Sequence, residues 1–129
     1  MAVGFPYVTG DVLTAADMNG LVAFSINAQT GTTYTAASTD TYQVLVTMNN
    51  ASANSFKIPT NATTAFPVGT VLTVLQLGAG ATTISAVTSG TTTVASAGAV
   101  STSPVLAQYK SAACIKTGTD TWVVVGAIS

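Results

Sequence analysis

The sequence predicts an all-β protein: a small antiparallel β-sandwich or barrel of about eight to ten short strands, preceded by a short N-terminal helix. Two observations lead to this fold class. From Gln29 onward, short runs rich in Val, Thr and Tyr follow one another, and these residues favour pleated strands. Turn residues separate the runs at intervals of roughly 8–12 residues, as they do in sandwiches and barrels.

The chain divides into an N-terminal segment, residues 1–28, and a β-domain, residues 29–129. The first twelve residues carry several apolar side chains but no regular period, so we expect this segment to dock on another surface. The predicted contact residues are Phe5, Tyr7, Leu13, Thr14, Asp17, Met18 and Leu21.

A helix is predicted inside this segment. Thr14 stands where an N-cap belongs, and Asp17 follows it at the spacing of a shortened capping box. Leu13 and Met18 have the spacing of a hydrophobic staple. Gly20 ends the helix or kinks it, and the longer alternative extends to residue 26. Such a short helix needs a packing partner to be stable.

In the β-domain, composition predicts nine strands, joined by turns that we interpret as hairpins in an antiparallel meander. They span residues 32–36, 42–48, 56–58, 71–77, 82–87, 91–96, 105–109, 112–116 and 122–125. The last run is apolar on both faces, which predicts a fully covered central strand. The predicted core consists of Phe56, Ile58, Phe66, Leu72, Val74, Ile84, Ile115, Trp122 and Val124. Phe66 is expected to fill a corner of the meander, and no long internal repeat is evident.

Few ionisable residues are present. Charged residues make up 5% of the chain, against roughly 25% in an ordinary domain, and the formal net charge is -1. Three lysines are too few to bind nucleic acid or an anionic membrane electrostatically. Weak charge repulsion favours permanent assembly, and a robust free monomer is the alternative.

Catalysis and metal binding are not predicted. The chain has no His, Glu or Arg, so general acid–base chemistry would depend on four aspartates. The single Cys114 cannot build a zinc site or an internal disulfide, and we interpret it as a small buried hydrophobe. No cofactor motif is recognisable, since the loop Gly78-Ala79-Gly80 lacks the lysine of a phosphate loop. Trp122 is assigned to the core rather than to sugar stacking.

The N-terminus lacks the features of a secretion signal, and no apolar run is long enough to span a bilayer. We therefore expect synthesis in a cytoplasm. The glycosylation patterns at Asn50 and Asn61 are interpreted as turn residues.

Several stretches resemble a small β-module of tailed-bacteriophage virion proteins, including many tail fibres. They are GDVLTAADMNGL (10–21), VLVTMNNAS (44–52), SFKIPTNATTAFPVGTVLTVLQLGAGATTI (55–84) and AQYKSAACIKTGTDTWVVVGAIS (107–129). The first is similar to an attachment-proximal segment of phage appendage proteins. The resemblance implies an exposed β-domain on a virus particle, often trimeric, and carries over no catalytic residue.

The chain is short for a long-reach adhesin, since it offers one docking segment and one domain. We therefore expect a non-enzymatic capsid decoration, or cement, protein of the virion, with other virion proteins and copies of itself as partners. The alternative is a tail-fibre or tail-tip protein that binds a host surface receptor or glycan.

Overall fold

The computed structural model describes residues 24–41, 43–96 and 103–128. The predicted helix at residues 13–20 and all seven predicted contact residues lie outside these ranges. Residues 25 and 26 belong to a strand, so the longer version of the helix prediction, which reached residue 26, is wrong.

The described residues form ten strands and one 3-10 helix, which agrees with the predicted all-β class. The strands are β1 (Ser25–Gln29), β2 (Thr33–Thr35), β3 (Val44–Met48), β4 (Asn54–Ile58), β5 (Val71–Gln76), β6 (Thr82–Ala86), β7 (Thr93–Ser96), β8 (Val105–Leu106), β9 (Ser111–Gly118) and β10 (Thr121–Gly126). The 3-10 helix, Ser38–Asp40, lies between β2 and β3. Strand β1 crosses the predicted domain boundary at residue 28.

The strands form two mixed sheets. The order of the first sheet is β1-β3-β5-β9-β10-β7, and that of the second is β2-β4-β6-β8. Of the eight pairings between the described strands, five are parallel. The predicted antiparallel arrangement is therefore wrong for most of the molecule. Only β9 with β5, β10 with β9, and β8 with β6 pair antiparallel.

The first six strands trace three stacked coils. Each coil places one strand in the first sheet and the next strand in the second, so parallel partners are two strands apart in sequence. Between the second and third coils, Val46 aligns with Val74 and Phe56 with Ile84, a spacing of 28 residues in both sheets. The chain thus has a structural repeat that the sequence does not display.

The segments around Asn50 and Gly78–Gly80 therefore cannot be hairpin turns. Each connects a strand of one sheet to a strand of the other and forms a corner of a coil. After β7 the chain changes direction, and β9 and β10 complete the first sheet in antiparallel fashion.

The core lies between the sheets. Eight of the nine predicted core side chains are buried there, and Phe66 fills its corner by meeting the Trp122 ring edge-on at 5.6 Å between centroids. Ile115 is only half-buried, because the alternation of β9 turns Cys114 and Lys116 inward. The prediction that both faces of β10 are covered is wrong as well, since Val125 is exposed.

Candidate functional site

The edge of the first coil presents apolar side chains to the outside. Phe24 and Ile26, which we call the first-coil surface, are 55% and 58% exposed. Among the described residues, β1 is the end strand of its sheet. Its sequence, SINAQ, contains no charge and no proline, the residues that usually protect an edge strand from pairing with other chains. This edge is therefore suited to contact with another protein.

A pocket of about 620 Å³ adjoins this surface. It is lined by Ser25, Ile26, Asn27, Ser38, Thr39, Asp40, Thr41 and Val44. Most of these side chains are small and uncharged. The lining provides hydroxyl and amide groups for hydrogen bonding but no cation.

Asp40, at the base of the pocket, is buried and fully engaged. Its Oδ1 accepts a hydrogen bond from Asn27 Nδ2 at 2.8 Å, and its Oδ2 accepts from the Tyr34 hydroxyl at 2.5 Å and from the Ala37 N–H at 2.9 Å. Burial, and then the hydrogen bond and the negative charge of Asp40, raise the pKa of Tyr34 to about 12. The phenol therefore remains a neutral donor that links β2 to the 3-10 helix, and Asn27 links β1 to the same carboxylate. The arrangement supports a structural role for this carboxylate.

The corners of the three coils are stacked through a second polar group, the corner stack, comprising Asn50, Ser52, Gly78 and Gly80. Asn50 Nδ2 donates to the Thr30 carbonyl in the first coil, and the Gly80 N–H donates to the Asn50 carbonyl from the third. A Cβ on Gly78 or Gly80 would collide with the backbone of Asn50 or Ser52. Neither glycine has a positive φ, so close backbone approach, rather than turn geometry, requires glycine here.

A third group, the Lys116 cluster, lies at the edge of the core and comprises Lys116, Asn61, Phe66, Asp120 and Trp122. Lys116 is 2% exposed, and its Nζ donates to Asn61 Oδ1 at 2.6 Å and to the Phe66 carbonyl at 2.7 Å. The Nζ lies 6.0 Å from the centroid of the Trp122 ring. Both oxygens that hold this amine are neutral, which is unusual for a buried lysine.

Asp120 supports the same cluster from the turn between β9 and β10. Its Oδ1 accepts a hydrogen bond from the Asn61 main-chain N–H at 2.8 Å and from Thr92 Oγ1 at 3.2 Å. The sequence prediction missed this cluster, because it treated Asn61 as a turn residue and Lys116 only as a charge. The inward period of Ala112 and Cys114 was the available signal, since it continues to Lys116.

Metal binding, thiol chemistry and membrane-spanning helices were the other features sought in the described ranges. No group of three or more metal-ligating side chains was found there. Cys114 is buried, and burial raises the pKa of its thiol to about 12, so the thiolate needed for nucleophilic attack does not form at neutral pH. No helix of the described part is long and apolar enough to cross a membrane.

Comparisons with protein-family models, curated proteins and solved structures found no match for this chain.

Proposed function

We propose that this chain is a non-enzymatic structural protein of a tailed-phage particle, a capsid decoration protein that docks through its N-terminal segment. The observation that carries the proposal is the resemblance of residues 10–21 and 55–84 to virion modules. The chemistry of the described residues supports it, since Asp40 and Asp120 are both committed to internal hydrogen bonds. Such a protein is built to pack and persist rather than to turn over a substrate.

The first-coil surface supports the same proposal. Phe24 and Ile26 lie at the end of the predicted docking segment, residues 1–28, and Ile26 faces outward from an edge strand without charge or proline. An apolar edge on a nearly uncharged protein is suited to a permanent interface, because little charge has to be desolvated when it is covered. The first-coil surface would thus form part of the interface made by the docking segment.

The docking role is tested with a truncated chain that begins at Phe24 and retains every described residue. The full chain and the truncated chain are each mixed with particles lacking the protein, and binding is measured by co-sedimentation. Buried Trp122 serves as the fluorescence reporter of folding. We expect the truncated chain to fold but to remain in the supernatant. Equal binding of both chains would refute docking through the N-terminal segment.

The edge itself is tested by Ile26→Ser in the full chain, with Val68→Ser as the matched control. The side chains of Ile26 and Val68 are both exposed, but Val68 lies outside the first coil. We expect Ile26→Ser to weaken particle binding and Val68→Ser to leave it unchanged. Equal effects of the two changes would show that the first-coil surface is not part of the interface.

A further inference from the structure

The Lys116 cluster has the composition of a site for covalent cross-linking. It places the primary amine of the buried Lys116 in contact with the carboxamide of the half-buried Asn61 at the edge of the core. The two residues are 55 positions apart in sequence, so the contact joins the corner that follows β4 to strand β9. We propose that Lys116 Nζ and Asn61 Cγ form an intramolecular isopeptide bond with release of ammonia.

The distance between the reacting atoms fits this reaction. The hydrogen bond from Nζ to Asn61 Oδ1 is 2.6 Å, and Oδ1 is about 1.2 Å from Cγ in a carbonyl group. These lengths place Nζ between roughly 2.9 and 3.8 Å from Cγ, a range that includes the separation of about 3–3.5 Å typical of a near-attack geometry. The Phe66 carbonyl, 2.7 Å from Nζ, holds the amine in place.

The step balances without an oxidant, a reductant or a cofactor. The lone pair of the unprotonated Lys116 amine forms the Nζ–Cγ bond, and the Cγ–Nδ2 bond of Asn61 breaks with its electron pair going to Nδ2. One of the two amine protons moves to Nδ2, which leaves as ammonia. The other remains on the new secondary amide. The primary amine is thereby replaced by a secondary amide, which remains neutral.

The partners of the amine are uncharged. The two oxygens that hold Nζ belong to an amide and to a peptide group, so neither is a carboxylate that would fix an ammonium as an ion pair. The Trp122 ring, which meets Phe66 edge-on, lies 6.0 Å from Nζ between centroid and atom. Asp120 acts as a positioning residue, because its Oδ1 holds the main-chain N–H of Asn61.

The experiment is the intact mass of the purified, folded full chain. We expect a mass lower than that of the sequence by one ammonia, and a proteolytic fragment in which the peptides carrying Asn61 and Lys116 are joined. Lys116→Met should abolish both signals. The matched control, Lys110→Met, changes an exposed lysine and should retain both. A folded wild-type chain with its full sequence mass would overturn the proposal.

Two further outcomes are informative. Cyclisation of Asn61 with the following peptide nitrogen would also release ammonia, but it would persist in Lys116→Met and give no joined fragment; that result would overturn the proposal. If Lys116→Met does not fold, the joined fragment of the wild-type chain decides the question alone.

The role of Asp120 is tested by the rate of ammonia loss, which we expect to fall in Asp120→Ala and to recover in Asp120→Asn, where the Oδ1 acceptor is retained. Equal rates in all three chains would overturn that role.

Discussion

Replacement of Gly80 by alanine tests the stacking of the coils. The new Cβ would collide with the Ser52 carbonyl group and lie 2.9 Å from the Asn50 oxygen. All of these atoms belong to the backbone of the neighbouring coil, so a side-chain rotation cannot relieve the contact. The corner has to open, and this disturbs two hydrogen bonds, from the Gly80 N–H to Asn50 O at 3.0 Å and from Gln76 Nε2 to Gly80 O at 2.5 Å.

The expected loss of stability is large. Overpacking typically costs about 1–3 kcal/mol, and each disturbed hydrogen bond adds about 0.5–1.5 kcal/mol. Together these effects lower the free energy of unfolding by about 2–6 kcal/mol, a considerable part of the 5–15 kcal/mol that is usual for a domain. Gly78→Ala, which meets the Asn50 backbone, should act in the same direction.

The assay is guanidinium denaturation monitored by the fluorescence of Trp122, the single tryptophan of the chain. Gly90→Ala is the matched control, because its Cβ would have no neighbour within 4 Å and its φ is not positive. That change should leave stability within about 0.5 kcal/mol of wild type or raise it slightly. If Gly80→Ala were as harmless as Gly90→Ala, the close stacking of the second and third coils would be refuted.

Three further predictions concern the core and the Asp40 network. Trp122→Ala is a large truncation in the core and should lower the free energy of unfolding by about 3–5 kcal/mol, whereas Val125→Ala on the exposed face of the same strand should lower it by less than about 1 kcal/mol. Denaturation followed by circular dichroism measures both values. Burial raises the pKa of the Cys114 thiol from 9.0 to about 12, so the unfolded chain loses this proton first and the free energy of unfolding should fall as the pH rises above 9. Cys114→Ala should make that fall shallower by about 1.4 kcal/mol per pH unit. An unchanged slope would contradict the burial of the thiol. Asp40→Ala leaves the donors that bond to Asp40 without their acceptor and should lower the free energy of unfolding by about 1–3 kcal/mol. Thr39→Ala, at an exposed position, should change it by less than about 0.5 kcal/mol. Similar values for both variants in thermal or chemical denaturation would contradict the network.

The sequence predicted strands more successfully than it predicted how they pair. Alternation along a run such as 56–58 indicates that one face is covered, which holds equally for parallel and antiparallel neighbours. The direction of pairing depends on which distant strand packs alongside. Here the partner of β5 is β3, with the whole of β4 between them in the chain. Local patterns contain no information on that choice.

The stacked coils escaped detection for a related reason. Aligned residues are 28 apart between the second and third coils, but 19 apart in the first sheet and 22 apart in the second between the first and second coils. Stacking requires that the inward positions be filled, but it fixes neither residue identity nor polarity. Val46 aligns with Val74, but Met48 aligns with Gln76. Gln76 is acceptable in that buried position because its amide bonds to the backbone of the corner at Gly78 and Gly80.

Strand β1 was missed because its residues have weak strand propensity. Ser, Asn, Ala and Gln do not mark a strand, and only Ile26 does. The strand forms because β3 offers a parallel partner along its whole length, from Ser25 against Val44 to Gln29 against Met48. Tertiary pairing overrides local preference at this end of the sheet.

The proposed role in a virion is tested most directly by quantitative mass spectrometry of purified phage particles, produced from a genome that carries this sequence, which counts the copies of this chain per particle. A decoration protein should be present in hundreds of copies, in a simple ratio to the major shell protein. A few copies to a few dozen would instead indicate a tail fibre or tail tip. Absence of the chain from intact, infectious particles would contradict the proposal that it is a virion component.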